Sequence, residues 1–370
     1  MRILILCLLT ISFFQACTSY PIQSSGEYAQ EQGVALVIGN SRYQPQKPYP
    51  PPKKPVISFK DDILSAENDA DQMSEKLRSL GFIVFKVKNA NRATIFEALE
   101  KFKTQLLESR KQQDKVIAGL FYFSGHGMAL DDETYLIPVG TKPIDCIEYN
   151  KKCLPDVNLL KKNTVTLGNV YTFLQRPEGR TETTKEETIP HPNFVILDSC
   201  RTSSSNTSSD NKVASNSNVH KDSNWKMKIE VKKANAIVLK GPKYDIEVEG
   251  ANVGANQSLT MPAHTFLAYA TAIDRPAVGS GIQDENSIYT RHLLEVLSQS
   301  GLSVSELFGE VNEAVKKTTK DMKDEYQNDN DPDTDPNDLI IQDPHFSSNE
   351  ISSEVNFVFR QEAVNQAPRW

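Results

Sequence analysis

Short apolar segments recur along the chain, separated by longer stretches in which polar and apolar residues mix. The apolar segments are residues 33–39, 82–87, 116–123, 193–198 and 265–271. They are rich in β-branched and aromatic residues and show little polar alternation, which is typical of strands buried on both faces. This pattern predicts the strands of a parallel sheet.

The stretches between these segments carry apolar residues at helical spacing. Residues 66–80 and 92–109 each place an apolar stripe on one face, and Gly81 stands where the first stripe ends. Residues 288–297 and 303–317 show the same spacing. Strands alternating with helices predict an α/β fold with a mostly parallel central sheet and helices on both faces.

Several polar stretches interrupt this alternation. Residues 141–190 are rich in lysine, and residues 202–224 form a Ser/Asn/Asp tract that cannot pack a core. Residues 225–250 alternate between polar and apolar positions, which predicts a β-hairpin. Residues 321–338 are strongly acidic and are interpreted as a solvated loop.

The length of 370 residues allows two or three domains, or one enlarged α/β domain. Hydrophobic residues make up 38% of the chain and charged residues 24%, which is enough apolar material for a real core. The order of the elements favours one domain over residues 33–360. It carries inserts near 141–190 and 202–262 and a C-terminal tail at 361–370.

The N-terminus predicts an export signal over residues 1–16. A basic residue precedes the apolar run 3–14, which is shorter than the ~20 residues that span a membrane. The next residues, Phe14-Gln15-Ala16-Cys17, resemble the lipobox of bacterial lipoproteins, which implies a lipid on Cys17. The alternative is ordinary signal cleavage, with Cys17 incidental.

Residues 17–32 then form the predicted lipidated N-terminus and a polar tether. Thr18 after the cysteine is similar to the sorting pattern of outer-membrane lipoproteins. The sequence therefore predicts an exported protein that is held on a membrane, at the outer membrane or cell surface, by its N-terminal lipid.

Charge and cysteine content narrow the function further. The net charge of −7 argues against a nucleic-acid binder, because that role requires a basic face. Five cysteines are too few for a disulfide scaffold. Cys146 and Cys153 could form a disulfide that closes a small loop in an exported protein, which would leave Cys200 as an odd thiol.

Chemically active residues follow two of the predicted strands. The third strand runs into Ser124-Gly125-His126-Gly127, and the fourth runs into Asp198-Ser199-Cys200-Arg201. Ligands of open parallel sheets bind at the carboxyl ends of the strands, so His126 and Cys200 are expected at one edge. Alone, the histidine would be interpreted as a turn residue and the cysteine as a small buried hydrophobe.

Together they fit a nucleophilic dyad. A thiolate is the reactive form of cysteine, and an imidazole can accept the thiol proton and later protonate the leaving amine. The developing oxyanion requires preorganised N–H donors, for which the backbone N–H groups of Gly127 and Cys200 are the candidates. The remaining histidines show no metal-ligand spacing, so no metal is predicted.

Residues 33–360 resemble the caspase-like cysteine peptidases, closest to the bacterial paracaspases and metacaspases. The resemblance is carried, in order, by the motifs Ala35-Leu36-Val37-Ile38-Gly39-Asn40 with Tyr43, Asn68-Asp69-Ala70, Phe121-Tyr122-Phe123-Ser124-Gly125-His126-Gly127, Tyr135-Leu136-Ile137-Pro138, Leu197-Asp198-Ser199-Cys200-Arg201, Ala268-Tyr269-Ala270-Thr271 and Tyr289-Thr290. It implies a caspase-like three-layer sandwich and a cysteine endopeptidase with the dyad His126 and Cys200.

The resemblance also implies a preference for the residue before the cut bond. Asp198-Ser199 stand where true caspases have Gln-Ala. By similarity to metacaspases and paracaspases, Asp69, Ser124 and Asp198 line the S1 pocket. Two carboxylates favour a cation, so cleavage after Arg or Lys is expected. The alternatives are a helix-capping or first-turn acid for Asp69 and a turn acid for Asp198.

Four questions stay open. The chain is predicted to act on a peptide or protein substrate, but a catalytically silent interaction or scaffold lipoprotein is the alternative, and the oligomeric state is unknown. No cofactor is expected. Calcium activation is left open, because Asp131 and Asp132 are an acidic pair without an EF-hand loop. Lys212 and Lys221 in the polar tract are candidate sites of self-cleavage.

Overall fold

The computed structural model describes most of the chain between residues 32 and 349. The described residues are 32–44, 56–59, 61–111, 115–130, 133–149, 152–175, 191–201, 237–239, 243–244, 261–273, 275–280, 284–299, 301–328, 341–349 and 359. All of them lie in one compact unit, residues 31–370. The predicted signal, Cys17, most of the tether and the tail at 361–370 lie outside the described residues.

Strands and helices follow one another along the described residues. The strands are β1 (Gly33–Gly39), β2 (Val56–Ser58), β3 (Phe82–Lys88), β4 (Ala118–Ser124), β5 (Gly127–Leu130), β6 (Glu133–Leu136), β7 (Ile144–Tyr149), β8 (Lys152–Pro155), β9 (Val165–Thr166), β10 (Asn193–Asp198), β11 (Ile237–Leu239), β12 (Lys243–Tyr244), β13 (Thr265–Tyr269), β14 (Val278–Ser280) and β15 (His345–Asn349). The helices are α1 (Ser65–Ser79), α2 (Arg92–Ser109), α3 (Val157–Asn163), α4 (Leu167–Leu174), α5 (Ile288–Val296) and α6 (Val304–Asn328).

The main sheet has six strands in the described residues, in the order β15-β13-β10-β4-β1-β3. Neighbouring strands are parallel except at one edge, where β15 pairs with β13 in the antiparallel sense. The five predicted strand segments are the five parallel strands. Their carboxyl ends therefore meet at one edge of the sheet, as the alternating pattern predicted.

Helices cover both faces of this sheet. Along β1, Ala35 and Val37 belong to one apolar cluster, with side chains from α1, α5 and α6. Val34, Leu36 and Ile38 belong to a second cluster, with side chains from α2 and α4. Because successive strand side chains point to opposite faces, one strand contributes to both cores. The predicted three-layer α/β fold is confirmed.

Local signals explain where the helices begin and end. Asn91 caps α2 by accepting the backbone N–H of Thr94, and the predicted helix 92–109 forms over those residues. Gly81 follows α1 with φ of 80°, a conformation that glycine adopts without steric cost. Helix α6 continues to Asn328, so the predicted acidic loop 321–338 was wrong over its first residues.

The predicted β-hairpin within residues 225–250 was also wrong. Strands β11 and β12 lie in that segment, but β11 pairs with β14 and β12 pairs with β2. Alternation of polar and apolar residues indicated extended chain without indicating its partner. Part of the predicted insert 141–190 contributes to the core, since Val170 and Leu174 of α4 are buried in the second cluster. The boundaries of both inserts stay predictions.

Among the described residues, no helix is both long enough and apolar enough to cross a membrane.

Candidate active site

The two central strands place their carboxyl ends side by side. Ser124, the last residue of β4, is the register partner of Asp198, the last residue of β10. The N–H of Gly125 donates to the carbonyl oxygen of Asp198 at 3.3 Å, which extends this pairing past the strand ends. His126 and Cys200 each follow two residues after the paired residues. Equivalent positions on adjacent strands thus carry the predicted dyad.

Gly127 lies against the loop that carries the cysteine. A Cβ atom added to Gly127 would lie 2.6 Å from Ser199 Oγ and 2.9 Å from the carbonyl oxygen of Cys200. Both distances are too short for a real side chain, so only glycine fits. The two backbone N–H groups that were predicted to form the oxyanion hole belong to segments that contact each other, since Gly127 begins β5 and Cys200 lies in the loop after β10.

His126 is buried and held from three directions. Its backbone N–H donates to the Tyr43 hydroxyl at 3.0 Å, and its ring lies 4.4 Å from the Tyr43 ring and 5.9 Å from the Phe59 ring, between centroids. Its Nε2 lies 2.8 Å from the carbonyl oxygen of Asp61. A carbonyl oxygen only accepts, so Nε2 carries the hydrogen and Nδ1 is the basic nitrogen.

Tyr43 is itself fixed by the surrounding backbone. Its hydroxyl donates to the carbonyl oxygen of Ile137 at 3.0 Å, and its own N–H donates to the Asp62 carboxylate at 2.7 Å. Burial raises the pKa of the Tyr43 hydroxyl, which keeps it protonated and able to donate. Sequence reasoning named Tyr43 only as part of a motif and missed Asp61, because a backbone carbonyl leaves no signature in the sequence.

Cys200 is completely buried, with an exposed fraction of 0%. Its sulfur accepts the N–H of Ala277 at 3.1 Å, and the N–H of Arg201 donates to the carbonyl oxygen of Arg275 at 3.2 Å. The Arg201 guanidinium lies 3.6 Å from the centre of the Tyr269 ring. Residues 275–277 therefore contact the loop that carries the cysteine.

The three predicted S1 residues converge and are all buried with 0% exposure. The Ser124 hydroxyl donates to Asp69 Oδ2 at 2.7 Å. The Thr290 hydroxyl donates to Asp198 Oδ2 at 2.7 Å. Helix α1 begins at Ser65, and Leu64 stands at its N-cap without a side-chain bond, so Asp69 does not cap this helix.

Ser287 connects these two carboxylates and was missed from the sequence. Its N–H donates to Asp69 Oδ1 at 2.9 Å, and its hydroxyl contacts Asp198 Oδ2 at a short hydrogen-bond distance. Its visible sequence signal was that of a helix cap, since it precedes α5 and accepts the N–H of Thr290 at 3.2 Å. Its proximity to either aspartate was not visible in the sequence.

The pKa of the Tyr122 hydroxyl is affected by both aspartates. Burial raises the pKa of its hydroxyl well above the usual value, and the negative charges of Asp69 and Asp198 raise it further. One phenol on β4 thus lies within reach of both carboxylates. Two acidic side chains from α1 and β10 share a single buried region.

The remaining predicted sites stay predictions. Strands β7 and β8 pair Cys146 with Pro155 and Cys153 with Glu148, so the two cysteines are not directly opposite. Asp131 and Asp132 lie outside the described residues. Within the described part of the chain, no group of three or more His, Cys, Asp or Glu residues is arranged to hold a metal ion.

A thiol and an imidazole that follow adjacent parallel strands, on loops in contact, define a class of α/β proteins that includes cysteine peptidases. The sequence signature of the caspase domain, peptidase C14, matches residues 32–335. The chain belongs to this family of cysteine peptidases. A search of curated proteins found no match to the chain.

Proposed function

We propose that the protein is a cysteine endopeptidase of the paracaspase and metacaspase type, which uses His126 and Cys200 to cut after Arg or Lys. The observation that carries the proposal is the joining of Asp69 and Asp198 in one buried region, next to loops that hold a thiol and an imidazole. Membership of the caspase-domain family supports the peptidase class.

The proposed reaction begins with proton transfer from the Cys200 thiol to His126 Nδ1. The thiolate attacks the carbonyl carbon before the cut bond, and the N–H groups of Gly127 and Cys200 bind the oxyanion. Collapse of the tetrahedral adduct breaks the C–N bond, and His126 gives its proton to the leaving amine. A water molecule, deprotonated by His126, then hydrolyses the thioester and regenerates the thiol.

The basic preference follows from the chemistry of the buried acids. The described hydrogen bonds to Asp69 and Asp198 come from hydroxyl and amide groups, which orient the carboxylates without neutralising their charge. In a region of low dielectric, a guanidinium or ammonium gains more from such carboxylates than it would in water. Arg also matches carboxylate geometry with two parallel N–H donors.

One observation favours the second candidate, a silent scaffold protein. Cys200 is completely buried and its sulfur accepts the N–H of Ala277, so the residues around the sulfur, Ala277 among them, must move before a peptide reaches it. If these residues stay in place, the chain would bind partners without cleaving them.

The experiment that separates the two candidates is hydrolysis of fluorogenic peptides ending in Arg, Lys or Asp, with and without calcium. We expect the Arg and Lys peptides to be cleaved, and Cys200→Ala and His126→Ala to lower kcat/KM by roughly a thousandfold or more. His345→Ala is the matched control, since His345 is exposed on β15. Cleavage of no peptide would favour the scaffold, and faster cleavage after Asp would refute the S1 residues.

We also propose export and anchoring through Cys17, on the basis of the apolar run and the lipobox-like residues before it. Growth with a clickable fatty acid tests this. The protein should become labelled, Cys17→Ser should abolish the label, and Cys7→Ser should retain it, because Cys7 lies within the predicted signal. Labelling that survives Cys17→Ser would contradict the proposal.

A further inference from the structure

Ser287 is the residue that links the two buried carboxylates. Its N–H donates to Asp69 Oδ1 at 2.9 Å, and its hydroxyl contacts Asp198 Oδ2. Asp69 is 218 positions away in the chain and Asp198 is 89 positions away. A single residue at the start of α5 therefore holds both acids, which come from different elements.

The direction of each hydrogen bond is determined by the chemistry of the partners. Ser287 Oγ accepts the N–H of Thr290 at 3.2 Å, which is the capping bond of α5. The one hydroxyl hydrogen of Ser287 then points to Asp198, because an ionised carboxylate can only accept. Ser287 thus donates two hydrogen bonds, one to each aspartate.

Other hydroxyl groups also donate hydrogen bonds to these two acids. The Ser124 hydroxyl donates to Asp69, and the Thr290 hydroxyl donates to Asp198. Ser287 donates to both acids. It also stands at the N-terminus of the nine-residue helix α5, where the helix dipole favours negative charge.

We propose that Ser287 is a positioning residue for the recognition of a basic side chain, which holds Asp69 and Asp198 in a fixed relative orientation. This inference rests on the proposed function, because it concerns the acids that are proposed to bind Arg or Lys. Ser287 itself does not touch the reacting atoms. Its effect should therefore appear in substrate binding and leave the chemical step nearly unchanged.

The test compares Ser287→Ala with Ser287→Thr on the arginine peptide. The alanine variant removes the hydroxyl bond to Asp198, and we expect KM to rise by about tenfold, the change that corresponds to one charged hydrogen bond, with kcat within about twofold of wild type. The threonine variant retains the hydroxyl and should restore KM to near the wild-type value.

Loss of the helix cap needs its own control. Ser303 caps α6 in the same way, since its Oγ accepts the N–H of Glu306 at 3.3 Å. Ser303→Ala should lower the melting temperature to an extent similar to Ser287→Ala but leave KM unchanged. If Ser303→Ala raises KM equally, the effect of Ser287→Ala is general destabilisation and the inference is wrong.

A double-mutant cycle tests whether Ser287→Ala changes KM through Asp198. In an Asp198→Asn background, Ser287→Ala should raise KM by less than it does in the wild type, because the charge that it orients is gone. Suppose that the wild type cleaves the arginine peptide but Ser287→Ala has an unchanged KM, or loses only kcat. The proposed role of Ser287 is then refuted, while the proposed peptidase function stands. If wild type cleaves no basic peptide, the proposed function fails first and the inference falls with it.

Discussion

Ser124 is the register partner of Asp198 at the carboxyl ends of β4 and β10. From this pair, the chain on each side runs two residues further to His126 and Cys200. The same pair contributes to the proposed S1 pocket, because Ser124 donates to Asp69 and Asp198 accepts from Thr290. The proposed dyad and the proposed specificity pocket are thus attached to one rung of the sheet, and a shift in strand register would displace both.

The charge of Asp198 should determine the preference for arginine. Citrulline has the shape of arginine without its charge, so the wild-type protein should cleave an arginine peptide far faster than the citrulline peptide. Asp198→Asn should reduce the ratio of the two kcat/KM values by at least about tenfold, since a charged hydrogen bond becomes a neutral one. An unchanged ratio would show that Asp198 does not contact the substrate side chain.

Removal of the Tyr43 hydroxyl should impair His126, the proposed general base. Tyr43→Phe retains the ring next to the imidazole but leaves the buried N–H of His126 without its acceptor, at a cost of about 1–3 kcal/mol. We expect kcat to fall by about tenfold or more with little change in KM.

Tyr289→Phe is the matched control for that experiment. The Tyr289 hydroxyl is buried and has no hydrogen-bond partner among the described residues, so its removal breaks no described bond. Its melting temperature and kcat should stay close to those of wild type. Equal losses in both variants would mean that Tyr43 acts only through general packing.

Gly127 should tolerate no side chain. In Gly127→Ala the new Cβ would meet Ser199 Oγ at 2.6 Å, so the loop must move away from Cys200. Displacing an oxyanion donor typically costs about a hundredfold in kcat, and a loss of that order is expected here.

Gly309→Ala is the control for the glycine substitution. Gly309 lies within α6, and an added Cβ there meets nothing within 4 Å. Alanine is the better helix former by about 1 kcal/mol, so this variant should unfold at a slightly higher temperature with unchanged activity. Full activity of Gly127→Ala would exclude its N–H from the oxyanion hole.

Cys200 should react slowly with alkylating reagents in the folded protein. Its exposed fraction is 0%, and its sulfur accepts a hydrogen bond from the N–H of Ala277. Mass spectrometry after timed treatment with iodoacetamide should show that Cys200 is labelled far more slowly in buffer than in urea. Equal rates would mean that residues 275–277 do not shield the sulfur in solution.

The parallel core could be predicted from the sequence because its signals are local. The segments 33–39 and 194–197 are apolar throughout, and both lie within buried strands. Helix α2 has both an apolar face and an Asn cap within its own segment. His126 and Cys200 were found in the same way, since each directly follows such a strand.

Elements whose formation depends on a distant partner were missed or misassigned. Strand β15 has the sequence HFSSN, which has little strand character, and it forms along β13 at the edge of the sheet. Strand β11 was expected in a hairpin but pairs with β14 instead. Pairing across a sheet adds backbone hydrogen bonds that intrinsic propensity does not measure, so tertiary context decided these elements.

The same division applies to the candidate site. Hydrophobic periodicity and the residues that follow each strand determined the layers of the fold and placed His126 and Cys200 at one edge, because these are properties of neighbouring residues. The contacts of Tyr43 and Ser287 were decided only by the tertiary structure. Ser287 reaches Asp69 across 218 positions of the chain, and no local signal encodes a contact that exists only after helix α5 packs beside the strand ends.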